Sequence, residues 1–234
     1  VWTRLLALPD TTVGMYGMMV YDDSTLIIAG DYKPLYGPGN PISKNKTAII
    51  KYHINGQLIW RKALPVFSKG YGYKMSKAIN GDILLAGAVF KSNQYDPTVA
   101  RLDSNGNVLL VDSIGNTYDE YATKAISKFD NSVIVIGNRS VIANNSQFTS
   151  TIKKYSATGS LLWIKNYTYG KYAGFLDGIE LPDGGIVIAG ANGDSTGNIM
   201  GYLLRTDSNG DSLWSRSFGS DTTYKYFHCI AQTC

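Results

Sequence analysis

The chain has 234 residues, 44% of them hydrophobic and 17% charged, with 25 glycines, 17 tyrosines and a formal net charge of +4. That length is ample for a buried core, and no stretch approaches the about 20 apolar residues that a membrane-spanning helix requires. Lysines and arginines are scattered, densest at Lys153-Lys154 and over Ser43 to Lys46, which reads as a solvated surface and not as the clustered stripe that nucleic acid demands.

In chain order, Val1 to Leu6 reads as the fourth strand of a unit lacking its first three, within a partial element at 1–8. A first unit at about 13–64 follows, with apolar runs at Met18 to Tyr21, Ser24 to Gly30, Thr47 to Tyr52 and, after Asn55-Gly56, Leu58 to Trp60. The second, at about 72–113, repeats this with Met75 to Ile79, Gly81 to Gly87, Thr98 to Leu102 and, after Asn105-Gly106, Val108 to Leu110. The third, at about 120–168, has Ala122 to Ile126, Ser132 to Gly137, Thr151 to Tyr155 and, after Thr158-Gly159, Leu161 to Trp163. The fourth, at about 173–218, has Phe175 to Leu181, Gly184 to Gly190, Tyr202 to Arg205 and, after Asn209-Gly210, Leu213-Trp214. Residues 224–233 then read as the first strand of another unit.

Self-similarity at a fixed period means copies of one supersecondary unit that bury apolar faces against each other. The second run of each unit is aliphatic, enters through a polar turn and ends in glycine, the pattern of a short strand buried on both faces. The third and fourth runs, joined by Asn-Gly or Thr-Gly, form a hairpin. Four antiparallel strands per unit define the blade of a β-propeller. The expected fold is therefore all-β, with four recognisable four-stranded blades plus partial strands at both termini. Those termini either share one incomplete blade and close a small ring or belong to a longer array. A blade made from the two ends would lack both central strands and leave long apolar edges open, so a piece of a longer protein is the expectation.

Pro182 to Gly190, followed by Leu204 to Trp214 and Phe218-Gly219, resembles the repeat of large secreted bacterial β-propeller proteins, many of them cargo of type IX secretion. The resemblance implies an extracellular or cell-surface location. The turn and tryptophan pattern also resembles, more weakly, the tryptophan-docking motif of quinoprotein dehydrogenase propellers, which implies a channel-mouth cofactor and calcium.

Candidate chemistry is sparse. Gly193 to Gly197 matches a nucleophile-elbow pattern, but the elbow must join a strand to a helix and be served by a histidine, whereas here it joins two strands in a chain whose histidines are His53 and His228. Two histidines and two cysteines offer no zinc-ligand spacing. Asp207, Asn209 and Asp211 alternate like the start of a calcium loop without its downstream glutamate, and the Asn-Gly turn accounts for them through positive φ. Cys229 and Cys234 lie too far apart in an extended segment to be bridged, so Cys229 reads as a buried small hydrophobe. Sequons fall at Asn45, Asn138, Asn144 and Asn166.

Tyrosines recur just before each unit's first strand, on the crossover that a propeller places around one mouth of its channel. Tyr73, Tyr121, Tyr172 and Tyr226 from that set, with Tyr32 and Tyr36 from the proline-stiffened loop at 31–46, form the candidate binding surface, since tyrosine offers rigid contact area with a polar tip. Their recurrence in every unit favours the plainer role of locking each blade to the next. The expected function is a non-catalytic extracellular or cell-surface module, without cofactor or metal, that binds protein or carbohydrate or spaces a larger assembly. The alternative is a quinoprotein-like or hydrolytic propeller enzyme, which requires an acidic channel mouth.

Overall fold

The computed structural model describes residues 11–34, 46–64, 71–91, 93–113, 119–140, 148–168, 173–193, 198–219 and 224–232. These contain sixteen strands in four antiparallel sheets of four, each in simple chain order, and no helix. Blade 1 comprises β1 (Thr11–Asp22), β2 (Thr25–Pro34), β3 (Lys46–His53) and β4 (Leu58–Leu64). Blade 2 has β5 (Tyr71–Lys77), β6 (Ile83–Lys91), β7 (Gln94–Leu102) and β8 (Val108–Ser113). Blade 3 has β9 (Asp119–Ser127), β10 (Val133–Ser140), β11 (Phe148–Tyr155) and β12 (Leu161–Thr168). Blade 4 has β13 (Ala173–Glu180), β14 (Ile186–Gly193), β15 (Ile199–Thr206) and β16 (Ser212–Phe218). The predicted partial strand at 1–8 lies outside the described residues, and residues 224–232 carry no strand.

The turn between third and fourth strands has one geometry throughout. In blade 1 the Gly56 N–H donates to the His53 carbonyl at 2.8 Å and the His53 N–H to the Gln57 carbonyl at 2.9 Å. Blades 2, 3 and 4 repeat this at Asp103, Ser156 and Asp207. The turn glycines, and not the residues before them, take positive φ: 88° at Gly56, 74° at Gly106, 91° at Gly159 and 82° at Gly210. A turn closed by a left-handed glycine is the longer hairpin form, not the two-residue one. The residue before each glycine is thus freed from the positive-φ role that the sequence assigned it.

A second feature corrects the sequence reading. The glycine of the second strand does not end it. The strand runs on to Pro34, Lys91, Ser140 and Gly193, and the glycine sits opposite a bulge in the innermost strand. One extra residue intervenes between Met15 and Gly17, Gly72 and Lys74, Ala122 and Lys124, and Phe175 and Asp177. The bulge presses the inner strand's backbone against its neighbour. A β-carbon at Gly30 or Gly190 would collide with the Gly14 or Gly174 carbonyl oxygen, and one at Gly137 would come within 2.6 Å of the Tyr121 oxygen.

Strands β6 and β14 are buried nearly throughout, because each blade is covered by neighbours. Three apolar clusters fill the junctions. Ile27, Ile49 and Leu64 meet Met75, Ile83 and Leu85 between blades 1 and 2. Leu84 and Ala86 meet Ala125 and Val135 between blades 2 and 3. Ile134, Ile136 and Ile152 meet Phe175, Ile188 and Leu204 between blades 3 and 4. Each such aliphatic side chain contributes about 2 kcal/mol on burial, so blade cohesion resides in these junctions.

The fourth strand adds a recurring lock. Trp60 reaches onto the turn glycine Gly106 of blade 2, Leu110 onto Gly159 of blade 3, and Trp163 onto Gly210 of blade 4. Two residues on, Lys62 donates to Asn107 and Lys165 to Asp211.

Candidate functional site

The innermost strands put one equivalent residue per blade immediately after the bulge. Register places Gly17, Lys74, Lys124 and Asp177 in this column, opposite Ala29, Ala86, Ile136 and Ala189. The column converges. Asp177 is buried and lies 3.3 Å from the Lys74 ammonium and 3.4 Å from that of Lys124, one lysine to each carboxylate oxygen. Lys74 also donates to the Leu176 carbonyl at 2.8 Å and the His228 carbonyl at 2.7 Å, and the Ile230 N–H points at Asp177 Oδ2 from 3.4 Å. Lys74 is on β5 and Asp177 on β13, so this cluster ties blade 2 to blade 4 as well as blade 3 to blade 4.

The segment 224–232 reaches the cluster by crossing blade 4. The Lys225 N–H donates to the Ile199 carbonyl at 3.0 Å and the Phe227 N–H to the Gly190 carbonyl at 3.1 Å, while the Phe227 ring covers Gly201 and lies 5.4 Å from Phe218. Cys229, expected to be buried, is exposed. Phe227 and Ile230 turn toward blade 4, and the residues between them face outward.

A second polar cluster lies between blades 2 and 3. Buried Glu120 is 3.6 Å from Lys153 and 3.8 Å from Arg139. Beside it, burial and then the neighbouring Asp112 carboxylate push the Tyr155 phenol well above its ordinary value. Tyr121 lines the same cleft, whose interior of about 20 Å³ has room for a water and not for a sugar ring. The Tyr121 ring packs 5.3 Å from Tyr95, itself 5.0 Å from Phe90.

Of the six candidate tyrosines, Tyr121 and Tyr226 are those whose side chains the structure describes. Tyr32 is in β2 and Tyr73 is the bulged residue of β5, both placed by backbone alone. Tyr36 and Tyr172 lie outside the described residues. Tyr226 is 45% exposed, with its ring 5.8 Å from His228. Among the weaker motifs, Asp103 Oδ1 accepts from the Asn105 and Asn107 N–H groups, and Asp207 Oδ1 from those of Asn209 and Asp211. The calcium-like alternation therefore serves the turn. His53 Nδ1 likewise accepts the Asn55 N–H at 3.2 Å. The Asn138 sequon amide is engaged in both directions by the Phe175 backbone. Among the described residues no group of three or more histidine, cysteine or acidic side chains is placed to hold a metal.

Sequence reasoning missed the axial cluster. Its signal was an aligned column holding two lysines and one aspartate, visible only once the bulge is counted.

The chain is an all-β protein built from propeller-type blades. No family model matches it, and no curated protein sequence does. Among solved structures it is similar to a crystal structure of the eukaryotic initiation factor, at 9% identity and a TM-score of 0.37, over 88% of this chain and 55% of that one. The chain thus spans about half of that protein, and so loose an overlap transfers no function. Among the described residues no helix is long and apolar enough to cross a membrane.

Proposed function

We propose that the chain is a non-catalytic propeller module, extracellular or at the cell surface, that binds protein or carbohydrate or spaces the parts of a larger assembly. The observation that carries the reading is the use made of the axial acid. Both oxygens of Asp177 face lysines of other blades, so the carboxylate nearest the axis is committed to cohesion and not held ready for a substrate proton. Glu120 and Glu180, likewise enclosed, are also paired with cations. The location rests on the resemblance of the repeat sequence to secreted propellers. The contact surface is assigned to the tyrosines, of which Tyr226 offers an exposed ring and Tyr121 an edge of the Phe90–Tyr95 stack.

A glycan array and a peptide display library, each followed by titration, test this. The expected result is a saturable ligand whose affinity falls severalfold in Tyr226→Ala with the melting temperature unchanged. Turnover of a hydrolase substrate panel, or dye reduction after loading with a quinone cofactor and calcium, overturns the reading.

A further inference from the structure

Strand β16 repeats the outward lock of β4 and β12. Trp60, Lys62 and Leu64 occupy alternate positions of β4, and Trp163, Lys165 and Tyr167 the same positions of β12. Each set is closed by the following blade. The tryptophan covers a turn glycine, the lysine bonds the Asn or Asp after it, and the third residue is buried: Leu64 is 1% exposed and Tyr167 7%. Strands β4 and β12 accordingly share one burial pattern. In β16 the matching residues are Trp214, Arg216 and Phe218, yet all seven residues are exposed, Trp214 by 44% and Phe218 by 41%. An indole and a guanidinium in the arrangement that elsewhere grips a hairpin turn are here turned to solvent, beside a phenyl ring that meets Phe227 and is otherwise open.

We infer that this face of blade 4 is a docking surface for a further blade of the same repeat, whose Gly-Asn or Gly-Asp turn takes Trp214 on the glycine and Arg216 on the amide or carboxylate. The chemistry follows the existing pairs. A flat indole requires a residue without a β-carbon beneath it, and a cation beside it requires an oxygen one residue on. Arginine in place of lysine keeps the charge and adds a forked donor. A second copy of this chain does not supply that turn. Gly106, Gly159 and Gly210 are each already capped, and Gly56 is buried. The path of residues 224–230 agrees with a following blade, since it carries the chain across blade 4 on the side where Phe227 meets Phe218. The inference is independent of any ligand bound elsewhere.

Fluorescence quenching on two proteins tests it. One is the chain as it stands. The other carries residues 1–218 followed directly by a copy of 65–113, which continues β16 into a blade whose Gly106-Asn107 turn already accepts a tryptophan and a lysine. The Trp214 signal is the difference between each protein and its Trp214→Phe form. Acrylamide is expected to quench that signal severalfold less in the extended protein, and Gly106→Val in the appended copy alone is expected to restore quenching. A second extension, 1–218 followed by 168–219 with its Gly210-Asp211 turn, guards against a junction that does not fold. Equal quenching of Trp214 in the original chain and in both extensions overturns the inference. So does protection of Trp214 in the original chain under conditions where light scattering shows a dimer, because the occupant is then a second copy.

Discussion

A β-carbon added at Gly106 would stand 2.8 Å from Cη2 of Trp60 in the preceding blade. The turn of one blade is thus the floor on which its neighbour's indole rests, and the same glycine holds a φ of 74° that side chains rarely adopt.

Gly106→Ala is expected to destabilise the protein by about 2 kcal/mol through backbone strain and displacement of the indole together. In a Trp60→Ala background the same substitution is expected to cost less, because only the backbone part remains. Urea unfolding of the two single variants and the double variant measures the difference as a coupling energy. Strict additivity would show that the indole does not bear on the turn.

Lys128 and Glu180 form a 2.9 Å ion pair between blades 3 and 4, with side chains only 5% and 8% exposed. Lys128→Met leaves a carboxylate enclosed without its cation, at a cost of about 3 kcal/mol. Lys128→Met combined with Glu180→Leu is expected to recover most of that loss, since the desolvated charge is gone. Chemical denaturation of the three variants reads both values.

Acid stability has a local component at Asp130. The Ser132 hydroxyl, assisted by the Ser132 N–H and Lys154, holds its carboxyl down to about 2 from an ordinary 3.8. A depressed carboxylate contributes stability that is present above its unfolded value and lost as pH falls through the folded one, here between 3.8 and about 2. The carboxylate is 56% exposed, so solvent screening reduces the contribution to about 1 kcal/mol. Ser132→Ala is expected to move the Asp130 carbonyl-carbon titration upward toward 3.8, as followed by NMR.

At the alkaline end Tyr155 acts in the opposite sense. Burial first, then Asp112, disfavour its phenolate and raise its titration above the ordinary 10.0. Its contribution is therefore complete below pH 10 and is lost as pH rises beyond it. Tyr155→Phe is expected to cost about 1 kcal/mol at neutral pH, for the lost hydrogen bond to Asp112. It is also expected to flatten the fall in melting temperature as pH rises above 10.0.

The blades were legible because the turns that join their strands demand glycine at a fixed place, and a fixed place in a repeat is a period. Asn55-Gly56, Asn105-Gly106, Thr158-Gly159 and Asn209-Gly210 therefore located the hairpins. The same glycine logic misled at Gly30, Gly137 and Gly190. A glycine at the end of an apolar run resembles a strand stop, and only the opposing bulge shows that it is a close approach within a longer strand. The axial cluster escaped for a related reason. Lys74, Lys124 and Asp177 sit far apart in sequence in unremarkable company, and their convergence depends on the blade stacking. Cys229 was misassigned because its exposure depends on how the segment around it lies across blade 4, which no local pattern encodes.

The bulge also separates two properties that a plain strand would couple. Without the extra residue, the side chains at the axis would follow the strict two-residue alternation that fills the junction cores, and changing one set would shift the other. With it, the positions of Gly17, Lys74, Lys124 and Asp177 are set after the alternation has been reset in each blade. Charge in this column is consequently an independent variable. A neutral glycine, two cations and an anion occupy one structural column without disturbing four nearly identical sheets. The charge carried by this column can thus differ from blade to blade while the sheets keep one geometry.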